Sequence, residues 1–422
     1  MNITGDSGNY VADYKYNAER LEQETENGEA LKYAYTRSGK LESIKNNNDE
    51  QKYIYNRDGN ISEIIRGSKR ILFAYDKAKR VKQIKYPGEV IKNMEYYSNG
   101  MVKEEKIEKS GETIYTCSYV YNNNNHLIER KEFVREGKES GVEVTEYKYD
   151  SAGKLVKAYY SDGEIEEFKY DDNGNRIELK SRAYGKIRFS YDKSRLVKIT
   201  TLDDLGNPSG KTEIVYDEEG NIVMRFGKEN AEYEYDDFGR LSKAKTEKGI
   251  SEYNYSPLGR RLTGRYRTEE KELEERYIYA GANLFEVKTE EKLEKIISGN
   301  KVDEIYGKIE SDGNEEYYIR DYLGNIKAIF DKDGIMTDYR RYRAFGEEMI
   351  EPENGFGFTS REYDEISGLY YYRSRYYDAK TGRFLQKDKY NEAGILSNNP
   401  SVVYNPSQWI FYKQKQKKKS TR

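Results

Sequence analysis

Tyr147-Lys148-Tyr149-Asp150-Ser151-Ala152-Gly153-Lys154-Leu155 is one copy of a frame that returns along most of the chain. The same spacing recurs as Tyr33/Tyr35 with Gly39 and Leu41, Tyr53/Tyr55 with Gly59 and Ile61, Tyr233/Tyr235 with Gly239 and Leu241, and Tyr253/Tyr255 with Gly259. Looser copies stand at Phe73/Tyr75, Tyr119/Tyr121, Phe168/Tyr170, Phe189/Tyr191, Ile214/Tyr216 and Tyr277/Tyr279. A recurrence every 20 to 28 residues or so marks a repeat architecture, whose function belongs to the assembled surface.

Each copy has a direct physical reading. Aromatic residues at i and i+2 lie on one face of a strand, and the Lys, Glu or Asn between them lies on the other. The Asp-x-x-Gly that follows suits a hairpin turn, because the carboxylate can accept nearby main-chain N–H groups while Gly takes the positive-φ position. One repeat is therefore about one hairpin, and Tyr149 is expected to be buried against neighbouring repeats. The return strand begins with an aliphatic pair spaced by three, such as Leu41/Ile44, Ile61/Ile64 or Val81/Ile84. That spacing breaks strict alternation and predicts a bulge or side switch beside each turn.

Composition fits such a sheet. The chain has 44 Tyr against 13 Phe and one Trp, with 36% hydrophobic and 35% charged residues, so a large dry core is not expected. Tyr supplies an apolar ring whose hydroxyl can reach water or a backbone carbonyl, which suits a sheet with one packed and one wetted face. A lone hairpin would not survive, but a stack of hairpins would. A length of 422 ordinarily suggests two or three domains, yet no Pro-, Gly- or Ser-rich linker cuts the repeats, and residues 1–310 read as one array. A net charge of −3 argues against a dedicated nucleic-acid binder. No apolar run is long enough for a transmembrane helix, and Met1 to Tyr16 has the features of no secretory signal. With Cys117 as the single cysteine there is no internal disulfide, and the redox compartment stays open.

The frame Tyr-x-Tyr-Asp-x-x-Gly-x-Leu resembles the YD repeat of the Rhs family, which includes bacterial polymorphic toxins, shell components of insecticidal toxin complexes and, more distantly, teneurins. Residues 317–385 strengthen the resemblance: YYIRDYLGNIKAIFDKDG, then YRRYRAFGEE, then FGFTSREYDEISGLYYYRSRYYDAKTGRFL, similar to the Rhs repeat-associated core domain. The resemblance implies an all-β spiral of antiparallel hairpins forming part of a hollow shell, with a core or plug domain at residues 311–390 and a degenerate segment at 391–422. The positions that carry the core motif are Asp321, Gly324, Gly346, Asp364, Gly368, Leu369, Tyr370, Tyr371, Arg373, Arg375, Tyr376, Asp378, Gly382, Arg383 and Phe384. It also implies a non-catalytic scaffold that encloses or presents a C-terminal toxin in interbacterial competition, partnered by the remainder of a longer shell, the cargo and its immunity protein. Family shells are longer than this array of about thirteen hairpins, so the chain reads as a truncated or cargo-less C-terminal piece. Secretion or surface display is what the resemblance implies for a full-length member; no cofactor, metal or specific nucleic acid is implied.

Family members that cut themselves end the core with two Asp-Pro-x-Gly-like elements whose carboxylates work as an aspartic-protease-like pair. Such a pair needs two ionisable carboxyls sharing a proton. Here Asp388 keeps the first Asp but Lys389 replaces its Pro, and Asn405-Pro406 offers an amide where the second Asp belongs. Self-cleavage is not expected. The only histidine, His126, reads as an exposed turn residue with no second imidazole to join. Cys117 reads as a half-buried filler, and Asp171-Asp172 and Asp217-Glu218-Glu219 as solvated turns rather than calcium ligands.

Two surface features remain. The tail Lys413-Gln414-Lys415-Gln416-Lys417-Lys418-Lys419 reads as a frayed terminus rather than a phosphate- or lipid-binding patch. The run from Tyr370 to Tyr377 reads as structural, with Arg373 and Arg375 lying over Tyr rings or pairing with Asp364 and Asp378. The competing function class is a cell-wall or carbohydrate-binding repeat module. That class relies on Trp, and Trp409 is the only one here.

The self-cleavage reading makes a direct prediction. Purified protein held through a prolonged incubation should keep its full mass of 49.6 kDa. A fragment ending between about Asp388 and Trp409, and lost in Asp388→Asn, is the result that would restore a protease reading.

Overall fold

The computed structural model describes residues 2–4, 11–17, 19–26, 28–136, 139–350 and 352–387. Asp388, Asn405, Trp409 and the lysine tail lie outside the described residues. The fold is all-β. Among the described residues the only helical turn is a 3-10 segment at Phe358–Ser360. Two compact units can be distinguished. One comprises Met1–Tyr115, Tyr253–Arg265 and Leu273–Tyr339, the other Thr116–Glu252, Tyr266–Glu272 and Arg340–Arg422.

In the first unit Glu29–Tyr35 pairs with Leu41–Lys45, Glu50–Tyr55 with Ile61–Arg66 and Lys69–Tyr75 with Val81–Lys85, all antiparallel. Hairpins of the same kind continue through Glu315–Arg320, Ile326–Phe330 and Met336–Tyr339. In the second unit Glu139–Tyr149 pairs with Leu155–Tyr160, Ile165–Tyr170 with Arg176–Ser181 and Ala231–Tyr235 with Leu241–Thr246. A separate five-stranded sheet runs from Gly355–Phe356 to Arg383–Phe384.

The expected bulge is present and its position is constant. Tyr53 pairs with Ile64 and Tyr55 with Ile61, with the register slipping between Ile54 and Tyr55. The same slip falls before Tyr35, Tyr149, Tyr170 and Tyr235. Three residues of return strand thus oppose two, and the bulge turns both Ile61 and Ile64 to the buried face. At the turn, Gly153 has φ +78°, and its N–H donates to Asp150 O at 3.0 Å. Asp150 Oδ1 accepts from the N–H groups of Ala152 at 2.9 Å and Lys154 at 2.8 Å. The local chemistry anticipated for Asp and Gly is therefore what closes the hairpin.

The two aromatic positions of a repeat differ. The first is buried at Tyr53, Tyr119, Phe168, Phe189 and Tyr233 and half-buried at Tyr33, Phe73 and Tyr147. The second is half-buried from Tyr35 to Tyr96 and from Tyr149 to Tyr235, where its hydroxyl bonds the preceding repeat, and buried at Tyr255 and Tyr279. Tyr35 donates to Leu21 O, Tyr55 to Leu41 O, Tyr75 to Ile61 O and Tyr96 to Val81 O, at 2.6–2.9 Å. In the second unit Tyr149 donates to Leu127 O, Tyr170 to Leu155 O, Tyr191 to Arg176 O, Tyr216 to Leu196 O and Tyr235 to Ile222 O, again at 2.6–2.9 Å. The acceptor is usually the first aliphatic after the earlier turn. The residue just before that acceptor lies over the same ring: Lys40 over Tyr55 at 5.1 Å, Arg80 over Tyr96 at 4.3 Å, Lys154 over Tyr170 at 5.6 Å.

Three details depart from the sequence reading. Tyr149 is half-buried rather than buried, because it occupies this second position. His126 is half-buried too, its ring 4.7 Å from that of Tyr149, where other repeats place Lys or Arg. Cys117 is fully buried.

Inward positions also carry charge. In the first unit the Arg66 guanidinium is fully buried, 2.6 Å from Asp49, 4.1 Å from the Phe285 ring, and donates to Phe285 O at 3.0 Å and to Ile296 O. Gln51 exchanges hydrogen bonds with Ser298, and Tyr86 donates to Tyr318 O at 3.3 Å. Hairpins far apart in sequence are thus joined inside this unit by polar contacts as well as by apolar ones such as the Phe73–Tyr306 ring pair.

The two aromatic positions should respond differently to substitution. Tyr233→Ala removes a buried ring and should cost about 3–5 kcal/mol. Tyr149→Phe removes one hydrogen bond and should cost about 1 kcal/mol. Urea unfolding of both variants checks this; equal losses would contradict the division of roles.

Candidate functional site

The residues of the core motif fall into two groups. Asp321 and Gly324 form an ordinary hairpin turn of the first unit, where Asp321 accepts from Leu323 N, Asn325 N and Asn325 Nδ2 at 2.7–2.9 Å. The remainder gather in the second unit around the five-stranded sheet. Gly346 there has φ +90°, and a Cβ would collide with the Phe358 ring, so glycine is required on two counts.

The sheet is knitted by aromatic pairs. Tyr370 opposes Tyr377 and Tyr371 opposes Tyr376, the latter rings 5.3 Å apart. Leu369, Tyr370, Tyr371, Tyr376, Tyr377 and Phe384 are buried, and Tyr342 and Phe358 complete the cluster. Tyr377 donates to Phe345 O at 2.8 Å and Tyr370 to Glu348 Oε1 at 2.9 Å. Arg373 takes the positive-φ position of the turn between Leu369–Tyr372 and Arg375–Asp378, and the Arg375 guanidinium lies 3.8 Å from the centre of the Phe384 ring.

Both aspartates serve as turn locks. Asp364 Oδ1 accepts from Ile366 N at 2.9 Å and Ser367 N at 3.1 Å, and Gly368 N donates to Asp364 O. Asp378 Oδ1 accepts from Lys380 N at 3.0 Å and Thr381 N at 3.3 Å, ahead of Gly382. Its Oδ2 accepts from Thr381 Oγ1 at 2.8 Å and Arg225 Nη2 at 2.7 Å. Burial pushes the Asp378 carboxyl up, but Arg225 and the Thr381 hydrogen bonds outweigh it and hold it below the ordinary range. The carboxylate is thus ionised and saturated with donors.

Arg225 pairs with Asp378, a partner the sequence reading, which weighed Arg373 and Arg375 over Tyr rings or paired with Asp364 and Asp378, did not single out. It belongs to Ile222–Gly227, a hairpin strand of the array. Arg176 works beside it, donating to Thr381 O at 2.6 Å and Lys380 O at 3.1 Å while stacking 4.6 Å from Phe345 and 4.8 Å from Phe189. Arg383 returns the contact, donating to Ser194 O at 2.8 Å, and Ile222 N donates to Leu385 O at 3.1 Å. Glu166, buried, accepts from Tyr160 OH and from Ala344 N at 3.1 Å. Burial raises its carboxyl above the usual range.

None of Arg176, Arg225 or Glu166 was singled out from the sequence, though a signal existed. In Gly174-Asn175-Arg176 the arginine stands where other repeats have Leu or Ile. In Ile222-Val223-Met224-Arg225 it stands where they have the second aliphatic. An arginine on a buried stripe needs an acid, and Asp378 supplies one.

A family model, Teneurin YD-shell, matches residues 90–419. The chain belongs to that family. Mouse teneurin-3 is 23% identical over 293 residues, covering 65% of this chain and 10% of the mouse protein. Zebrafish teneurin-3 is 23% identical over 292 residues, with the same coverage. A chain of the Photorhabdus luminescens Tc holotoxin pore shares the fold at a TM-score of 0.50 and 14% identity, covering 94% of this chain and 26% of its own length. The chain therefore spans about a tenth of the curated relatives it matches. The sequence-level assignment to YD-repeat, Rhs-type shells and the hairpin-array fold agree with these likenesses.

Removing either member of the Arg225–Asp378 pair leaves a buried charge alone, and Arg225→Leu should cost about 3–5 kcal/mol. Asp378 has a lowered pKa in the fold, so its stabilisation is complete above the ordinary Asp range and is lost as pH falls through the folded value. Thermal melts between about pH 6 and pH 3 should show the parent losing stability on acidification more steeply than Asp378→Asn. Parallel curves would contradict the assignment.

Proposed function

We propose that the chain is a wall segment of a YD-repeat shell whose core segment, residues 311–390, seals that wall and holds a polypeptide cargo. The cargo is a toxin of interbacterial competition, carried with the remainder of a longer shell and matched by an immunity protein outside it. The shell acts where secreted or surface-displayed proteins act. The observation that carries this reading is the Arg176 and Arg225 contact with residues 378–382: two buried guanidiniums hold the core motif against the hairpins of its own unit. A core held in this way supports reading it as the seal of a shell wall.

The carbohydrate-binding alternative needs accessible aromatic faces. The second tyrosine is half-exposed in most repeats, and it is covered by Lys, Arg or His at Tyr55, Tyr96, Tyr149 and Tyr170. The scaffold reading is therefore preferred.

A folded reporter joined after Arg422, in a polypeptide that supplies the preceding repeats, tests the proposal. Added protease should cut that reporter several-fold more slowly than the free reporter, and Arg225→Leu should remove the protection. Cleavage at the free rate would reject enclosure, and retention on a glycan array would favour the binding module instead.

A further inference from the structure

Hairpin turns of the two units carry opposite charge at one and the same turn position. In the first unit the second residue of three successive turns is Arg37, Arg57 and Lys77. All three are exposed, and none of their side chains has a hydrogen-bond or ion-pair partner among the described residues. The other cations of these turns are committed, Lys40 to Gly59 O, Lys79 to Asp58 at 3.1 Å and Arg80 to Asp76 at 2.6 Å. In the second unit the same position holds Glu218 and Asp237 on successive hairpins, with Glu219 beside the former. These carboxylates too are exposed and without a partner among the described residues. Two strands separate one such turn from the next, so the charges recur at about 10 Å along either rim. The cationic row and the acidic row are thus opposite in sign and matched in spacing.

Each row is bordered by exposed apolar side chains. Ile54 and Leu72, 44% and 40% exposed, flank Glu63 in one cross-strand row of the first unit. Val215 opposes Met224 in the second unit, and Phe226 follows on the same face, all 41–43% exposed. Their strand neighbours Tyr53, Ile71, Ile214 and Arg225 are buried, so alternation puts these apolar residues on the outward face. An apolar centre edged by charge is the make-up of a protein interface. A nucleic acid suits the cationic row less well, because its phosphates recur at about 3.4 Å along a strand, too closely for this pitch. The tyrosine rings that could stack its bases are covered by Lys40 and Arg80. We propose that the chain associates head to tail with a second copy of itself. The turns of Arg37, Arg57 and Lys77 on one copy dock on the turns of Glu218 and Asp237 on the next, with Ile54 and Leu72 against Val215, Met224 and Phe226. The two copies use different surfaces, so the contact continues beyond a dimer unless it closes into a ring. Exposed ion pairs contribute little singly, and the contact is weak and salt-sensitive.

Sedimentation velocity of the full chain tests this. At an ionic strength of about 0.01 M the weight-average sedimentation coefficient should rise with protein concentration, and at about 1 M the rise should vanish. A variant carrying Arg37→Glu, Arg57→Glu and Lys77→Glu, and another carrying Glu218→Lys, Glu219→Lys and Asp237→Lys, should each associate at least about tenfold more weakly, because each sets like charges against each other. An equimolar mixture of the two should associate as the parent does, since the reversed row of one meets the reversed row of the other. The substituted side chains have no polar partner among the described residues, so both variants should keep the parent's far-UV spectrum and melting temperature. Concentration-independent sedimentation of the parent at low ionic strength, undiminished association of either variant, or a mixture of the folded variants that stays monomeric would each overturn the proposal.

Discussion

The hydrogen bond from the second tyrosine of one repeat to the carbonyl of the repeat before it is the contact on which the rest depends. A single hairpin of this composition cannot bury enough apolar surface to hold itself. The hydroxyl turns a row of marginal hairpins into a coupled series, because each bond joins two repeats rather than two strands of one repeat. Each is worth about 1 kcal/mol, small beside the burial of one ring, but it recurs from Tyr35 to Tyr96 and again from Tyr149 to Tyr235 and fixes register. Phe at that position would keep the ring and lose the tie. The excess of Tyr over Phe in the composition thereby acquires a cause.

The bulge is what brings the acceptor within reach. It interrupts the ladder beside the second tyrosine and spaces the aliphatic pair so that both members face inward. The cation over the same ring adds a second, weaker constraint. Lys40, Arg80, Lys154 and His126 are chemically dissimilar yet share this place, so what the position demands is a flat or cationic cover rather than a particular residue. His126, unremarkable as a turn residue in the sequence, is explained by that demand.

The local half of this design was legible in advance. Period-two aromatics and Asp-x-x-Gly turns depend on residues within about ten positions of one another, which is the range over which sequence patterns speak. The partners of buried charges were not legible, since Arg225 and Asp378 lie 153 positions apart. Arginine sits at the ends and middles of many strands here, and only its replacement of an aliphatic in the repeat frame sets Arg176 and Arg225 apart. The same limit misplaced Tyr149: the two tyrosines of a pair share a face, and what separates them is contact with the preceding repeat.

Placing arginines on an aliphatic stripe is costly in isolation, because a guanidinium loses several kcal/mol of hydration when buried. It is tolerable only where an acid and carbonyls are already waiting, as the 378–382 turn provides for Arg176 and Arg225, and as Asp49, Phe285 O and Ile296 O provide for Arg66. Leucines at these places would bury as well, but they would accept many registers. The arginines accept one, since a shift by a single residue strands the charge. In repeats that otherwise resemble one another, register between segments distant in sequence is the hardest thing to specify. Buried charge supplies it where the tyrosine ladder, which links only neighbours, cannot.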